Sequence, residues 1–145
     1  MSTVRRTTPD LIGASETVRA LRDAGRETKL FEIVDEEDKP RPTSKVWAKA
    51  LDDGDEVAIE VFEQGVQALG IGIGSILNVL DLERVVIGGG MAEKLGKSLA
   101  KRVREAALPW IMAPNPKLDF VVAELGDDSG VIGAAELGRA AVVEA

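Results

Sequence analysis

The chain predicts a helix-rich α/β fold with two parallel strands, at about 84–88 and 118–124, and a helix at the C-terminus. The first indication is the apolar run Arg84-Val85-Val86-Ile87, which breaks into Gly88-Gly89-Gly90 and then into a helical pattern. It reads as a buried strand, a turn and a helix start. The second is the run from Leu118 to Ala123, apolar except for Asp119. The third is the order from Asp55 onward: helix, strand, helix, strand, helix. Such alternation implies two parallel strands joined by a right-handed crossover and covered by helices.

Two stretches are distinguished, an arm with a short helix and an acidic connector over 1–42, and an α/β segment over 43–145. Met1 to Gly13 is polar and lacks a sustained period, which predicts a mobile or docked arm. A short helix follows, with Ser15 as N-cap, Val18 and Leu21 on one side and Gly25 as its stop. Leu30, Phe31, Ile33 and Val34 form a small apolar patch before the connector Asp35 to Pro42, whose charge run reads as a solvated loop.

Thr43 or Ser44 caps a helix through Trp47, Ala50 and Leu51, which Asp52-Asp53-Gly54 ends. Asp55 then opens the longest helical pattern. Its apolar positions Ala58, Val61, Phe62, Val66, Leu69, Ile73, Ile76, Leu77 and Leu80 advance by threes and fours and predict a wide buried stripe. The same helix carries Gly65, Gly70, Gly72 and Gly74, each costing about 1 kcal/mol against alanine in a helix interior. Either close packing offsets that cost, or Gly70, Gly72 and Gly74 open room beside a ligand. Asn78 either satisfies backbone groups of a turn or faces the same cleft.

Beyond the glycine turn, Leu95, Leu99, Val103 and Ala106-Ala107 mark one face of a further helix, which Pro109 stops. Gly126 to Gly130 reads as a turn capping a last helix over about 131–143, with Ile132, Ala135 and Leu137 apolar. Asp127 and Asp128 are an N-cap or a catalytic carboxylate pair; Asp is strongly preferred at N-caps. The glycine cluster itself permits close approach of a ligand to the backbone, as at a phosphate- or adenosine-type site, or is a plain tight turn.

With 145 residues, 45% of them hydrophobic, the chain can build one core. Eighteen Lys and Arg against 25 Asp and Glu leave a net charge of −7, which argues against nonspecific nucleic-acid binding and, more weakly, against an anionic membrane surface. Cysteine and histidine are both absent. That removes disulfides, the usual zinc sites and histidine general bases from this chain. No apolar run reaches the length of a membrane span and the N-terminus lacks the apolar core of a signal peptide, so a soluble cytoplasmic protein is the expectation.

Leu69-Gly70-Ile71-Gly72-Ile73, Leu77-Asn78, Val85 to Gly90, and Ala123 to Ala135 stand in an order and spacing that resembles the C-terminal part of the ROK family. That family groups glucokinases and related sugar kinases with sugar-responsive repressors. The likeness covers roughly 43–141 and is weaker over 14–25. It implies an actin-like and hexokinase-like ATPase fold, here partial, in which two α/β domains close on ATP and substrate. Gly88, Gly89 and Gly90 would form the adenosine-binding turn, with Met91 lining the same pocket. Magnesium-bound ATP is the cofactor expected of the complete family member.

The departures from the family pattern are specific. The family's Asp-x-Gly-Gly-Thr phosphate loop, its Asn-Asp pair with the base toward the sugar hydroxyl, its Glu-x-Gly-His sugar motif and its zinc-binding cysteines do not occur. Leu82 also stands where the family commonly has proline. The resemblance therefore implies the nucleotide-binding portion of a hexose kinase, inactive as this chain alone, with sugar bound only by the complete protein. The effector half of a ROK-type repressor and a noncatalytic scaffold are the alternatives. A parallel strand left with an unpaired edge is an association hazard, so self-association, covering by the arm or docking of the family's N-terminal half is expected.

Overall fold

A computed structural model describes residues 11–36, 41–113 and 115–143. Seven α-helices and two strands follow one another among them, with short 3-10 turns at Leu108–Trp110 and Gly126–Asp128: α1 (Leu11–Asp23), α2 (Leu30–Glu36), α3 (Ser44–Asp52), α4 (Glu56–Leu80), β1 (Arg84–Ile87), α5 (Gly90–Leu95), α6 (Lys97–Ala107), β2 (Asp119–Val122) and α7 (Ser129–Val143). The strands are parallel, with Arg84 opposite Asp119 and Ile87 opposite Val122. Both lie inside the spans expected for them.

The chain ends of the helices explain where they begin and stop. Thr43 caps α3 by accepting from Val46 N, and Asp55 caps α4 by accepting from Ala58 N. Gly25 and Gly54 adopt positive φ just past α1 and α3, the conformation in which glycine carries no Cβ penalty. Ser15 is not an N-cap: α1 starts a turn earlier, and Ser15 is buried within it. The apolar spacing extends back through Ala14, which packs on the core beside Val18. Leu11 to Gly13 thus belong to a helix rather than an arm, while the rest of that stretch lies outside the described residues.

The apolar patch at Leu30 to Val34 is the helix α2, which runs on through Glu36; residues 37–40 of the acidic connector lie outside the described residues. With α1, α3 and the first half of α4, α2 encloses one apolar cluster, in which Val18, Leu30, Val46, Trp47, Ala50, Val57 and Ala58 are almost fully buried. Residues from both sides of position 42 build it. Arg19 and Arg22 stack over the Phe31 ring at 5.3 and 4.6 Å, so their charges stay at the surface while their stems cover apolar area.

A second cluster joins the other half of α4 to the strands, α5 and α6, with Leu99, Val103, Ala107 and Phe120 at its centre. Each large side chain sealed there contributes about 1.5–3 kcal/mol relative to exposure. The seam between α4 and α6 is close because two glycines make it so. A Cβ on Gly70 would come within 2.6 Å of the Ala106 backbone, and one on Gly74 within 2.6 Å of Trp110 Cβ. Close packing accounts for these two, whereas a Cβ on Gly72 would meet nothing within 4 Å.

The α4 stripe is narrower than its spacing suggests. Leu69, Ile76 and Leu80 are 44%, 52% and 58% exposed, and Gly70 and Gly74 take the inward positions instead. The helix expected after the glycine turn is broken in two, because Gly96 adopts φ +54 between α5 and α6. Among the described residues one face of the sheet is covered: Val85, Ile87, Phe120 and Val122 pack into the second cluster, while Val86, on the other face, is 60% exposed. The last helix starts two residues earlier than expected, at Ser129, and its Val131, Ile132 and Leu137 are exposed.

Candidate functional site

Ligands of open α/β sheets bind beyond the carboxyl ends of the strands. Here β1 runs into Gly88-Gly89 and β2 runs into Ala123 to Gly126, so both chains leave the sheet at the same end. Between them lies a recess of about 30 Å³ lined by Gly88, Gly89, Ala92, Glu93, Ala123 and Gly126. Three of these six residues are glycine, so backbone forms much of its wall.

The glycine residues there serve different purposes. Gly89 has φ +98 and Gly126 φ +51, which L side chains rarely adopt. A Cβ on Gly88 would make an ordinary 3.5 Å contact with Ala123 Cβ, so its lack of a side chain leaves the recess open rather than relieving strain. Gly90 turns elsewhere: its Cβ would fall 2.7 Å from Ser44 Oγ, against the first turn of α3. Met91 is half-buried and packs on both apolar clusters, and it is not among the recess residues. Of the four residues expected to line one pocket, the fold therefore brings Gly88 and Gly89 to the recess and uses Gly90 and Met91 to join α5 to α3 and the core.

Ala92, Glu93, Ala123 and Gly126 complete the recess. The segment from Ala123 to Gly126 was visible in the sequence as part of the family resemblance, but its approach to Gly88 depends on the parallel register of β1 and β2. Glu93 is the one charged side chain in the lining; its Oε1 accepts from Lys94 Nζ at 3.3 Å in an exposed pair. A carboxylate beside a backbone floor can accept from hydroxyl or amine donors and repels phosphate. No lining group is basic, so the recess suits the neutral part of a ligand.

The side chain of Asp127 lies outside the described ones, and Asp128 is exposed at the end of the turn before α7, its N–H donating to Leu125 O at 3.1 Å. Asn78 satisfies backbone: its Nδ2 donates to Trp110 O and its Oδ1 accepts from Met112 N, both at 2.8 Å. Among the described residues no group of three or more acidic side chains converges to hold a metal ion. None of the described helices is long and apolar enough to cross a membrane.

The model of the ROK family matches residues 19–141. The chain is 36% identical over 95 residues to a glucokinase of Halalkalibacterium halodurans, covering 63% of this chain and 28% of that protein. It is 35% identical over 101 residues to an N-acetyl-D-glucosamine kinase of Escherichia coli O157:H7, covering 68% of this chain and 32% of that protein. In structure it resembles a ROK family glucokinase from Streptomyces griseus, solved with glucose and AMPPNP, at a TM-score of 0.72 and 21% identity over 90% of this chain and 42% of the other. The chain thus spans about a third or less of these two sequence relatives and under half of the solved kinase. The chain has part of the actin-like and hexokinase-like ATPase fold, and with the family pattern running from the end of α1 into α7 it belongs to the ROK family.

Proposed function

We propose that this chain is the nucleotide-binding, C-terminal portion of a ROK-type sugar kinase that phosphorylates a hexose such as glucose with ATP, and that it is inactive alone. The observation carrying this reading is the glycine-walled recess at the carboxyl ends of both strands, in a chain whose fold matches a glucokinase solved with a nucleotide analogue. Gly88 and Gly89 offer bare backbone to the adenosine, and Glu93 accepts from a ribose hydroxyl while directing the phosphates away from α5. A recess of about 30 Å³ has room for a water or two rather than for adenosine, so these residues would form one wall of the nucleotide's pocket. Magnesium and the phosphates would be met by groups beyond this lining, since phosphoryl transfer depends on holding phosphates, metal and acceptor together. When bound, magnesium would supply neutralisation of the phosphate charge.

Among the described residues no strand pairs with the outer edge of β1, which fits the same reading. Val85 and Ile87 turn their backbone groups to β2, so those of Arg84 and Val86 face outward. An unpaired parallel strand with an uncovered face is where the rest of such a sheet, or a second copy, would dock. In this reading the protein works in the cytoplasm.

Calorimetric titration of the chain with ADP and AMPPNP tests the reading. Saturable binding is expected, and the glycine substitutions described in the Discussion should weaken it. A folded chain that binds neither nucleotide would make it a scaffold. A coupled assay with glucose and ATP should show no turnover by the chain alone.

A further inference from the structure

The edge of the sheet opposite the bare side of β1 has its own chemistry. Asp119 N donates to Glu83 O at 3.0 Å and Ala123 N to Ile87 O at 2.9 Å. In a parallel ladder alternate residues serve the same neighbour, so Phe120 and Val122 direct their N–H and C=O groups away from β1. Among the described residues no strand pairs with them.

Beside this edge runs a groove of about 600 Å³ between β2 and α6. Its floor includes the buried Ala100 and Phe120 and the half-buried Val122, and its α6 wall carries Lys97, Lys101 and Arg104. Lys101 has a long 3.9 Å contact with Glu105 in an exposed pair. Lys97 and Arg104 make no ion pair among the described residues. Asp119 begins β2 and Glu124 lies two residues beyond its end, both along the groove.

We propose that this groove is a strand-addition site for an acidic segment of another protein, bound in extended conformation along β2. The backbone of Phe120 and Val122 supplies the hydrogen bonds and α6 supplies the charge. Lys97 and Lys101 lie one helical turn apart, about 6 Å along the axis. Side chains on one face of an added strand repeat at about 6.7 Å. Acidic residues at alternate positions therefore meet successive cations of α6, while the intervening residues lie on the Val121 side and are best apolar. Asp119 and Glu124 limit the acidic stretch to the middle of the strand. A second copy of this chain is the poorer occupant. Antiparallel pairing of two β2 edges about a two-fold axis normal to the sheet sets both α6 helices on one face, cation row against cation row. The inference concerns the edge of the sheet opposite β1's free side and stands whether or not the chain binds nucleotide.

The test uses the full chain and a fluorescein-labelled ten-residue peptide of alternating valine and glutamate, followed by anisotropy. Saturable binding is expected, with about tenfold weaker affinity for the double variant K101E and R104E, a change of roughly 1.4 kcal/mol. Both positions are exposed on α6, and circular dichroism checks that the fold persists. V122P removes an outward N–H without breaking the β1 ladder and should weaken binding comparably. The same peptide with every backbone nitrogen methylated, unable to donate to the edge in either strand direction, should fail to bind. Equal binding by the methylated peptide would reduce the effect to charge attraction and overturn the proposal. So would the absence of binding, unchanged affinity in K101E and R104E, or a dimer of the chain that V122P converts to monomer.

Discussion

Asp55 and Lys29 are joined by a hydrogen bond in which Lys29 N donates to Asp55 Oδ2 at 2.6 Å, while Oδ1 of the same carboxylate accepts from Ala58 N at 2.9 Å. One buried side chain thus caps the start of α4 and fixes the start of α2, helped by Thr28 Oγ1 at 2.7 Å and Leu30 N at 3.2 Å. Burial alone would raise the Asp55 pKa, but the hydrogen bonds from Ala58, Thr28, Lys29 and Leu30 outweigh it and hold it below the usual carboxylate value. Asp55→Ala should cost about 2–3 kcal/mol, the sum of a lost cap and several unsatisfied donors.

The pH dependence of that contribution has a definite sign. The folded-state pKa is lowered, so the stabilisation is complete above the ordinary aspartate value of 3.8 and disappears as pH falls through the lowered one. Urea melts of the parent chain and Asp55→Asn should differ most above pH 5 and converge in acid. A gap that stays constant down to the acid limit would deny Asp55 this role.

Three glycines of α4, evenly spaced in sequence, should respond oppositely to the same change. Gly70→Ala and Gly74→Ala drive a Cβ into Ala106 and Trp110, at a cost of about 1–3 kcal/mol from overpacking. Gly72→Ala meets open space and should stabilise by about 1 kcal/mol through helix propensity. Chemical denaturation midpoints at unchanged slope would measure both.

Gly88 and Gly89 separate space from conformation. Gly88→Ala fits beside Ala123 and should leave the melting temperature nearly unchanged while its methyl intrudes on the recess, reducing nucleotide affinity about tenfold or more. Gly89→Ala is strained at φ +98 whatever the space, and should lose about 1–2 kcal/mol of stability. Calorimetry with ADP alongside thermal melts would show whether the two effects divide in this way.

Asn78 holds the turn after α6 through Trp110 O and Met112 N, 32 and 34 residues away. Asn78→Ala should release it at a cost of about 1–2 kcal/mol, within the range for two net hydrogen bonds at an exposed site. Faster hydrogen exchange of the Met112 amide would report the release locally.

Association through β1 should depend on its exposed face. Light scattering of the chain at rising concentration is expected to show self-association, which Val86→Lys suppresses by placing a charge on the bare sheet face. A parent chain that stays monomeric throughout would leave the edge to another partner.

The sequence by itself determined the elements whose causes are local. The helix starts at Thr43 or Ser44 and at Asp55, the glycine stops at 25 and 54 and the two apolar runs act within a few residues, so spacing alone reveals them, while the structure chose Thr43 as the cap of α3 and made Asp55 the cap of α4. The ordered motifs likewise carried the family. Only the tertiary structure decided what each residue faces. The seven residues of α2 are too few to nucleate a stable helix alone, and their N-terminus is secured by Asp55, 25 residues beyond Leu30. Gly70 and Gly74 became packing positions because α6 crosses there, which turned Leu69, Ile76 and Leu80 outward. Gly90 left the recess because Ser44 sits against it, while Ala123 and Gly126 entered it through the pairing of β1 with β2. Such contacts join residues tens of positions apart, and no periodicity along the chain encodes which of several apolar or glycine positions will meet.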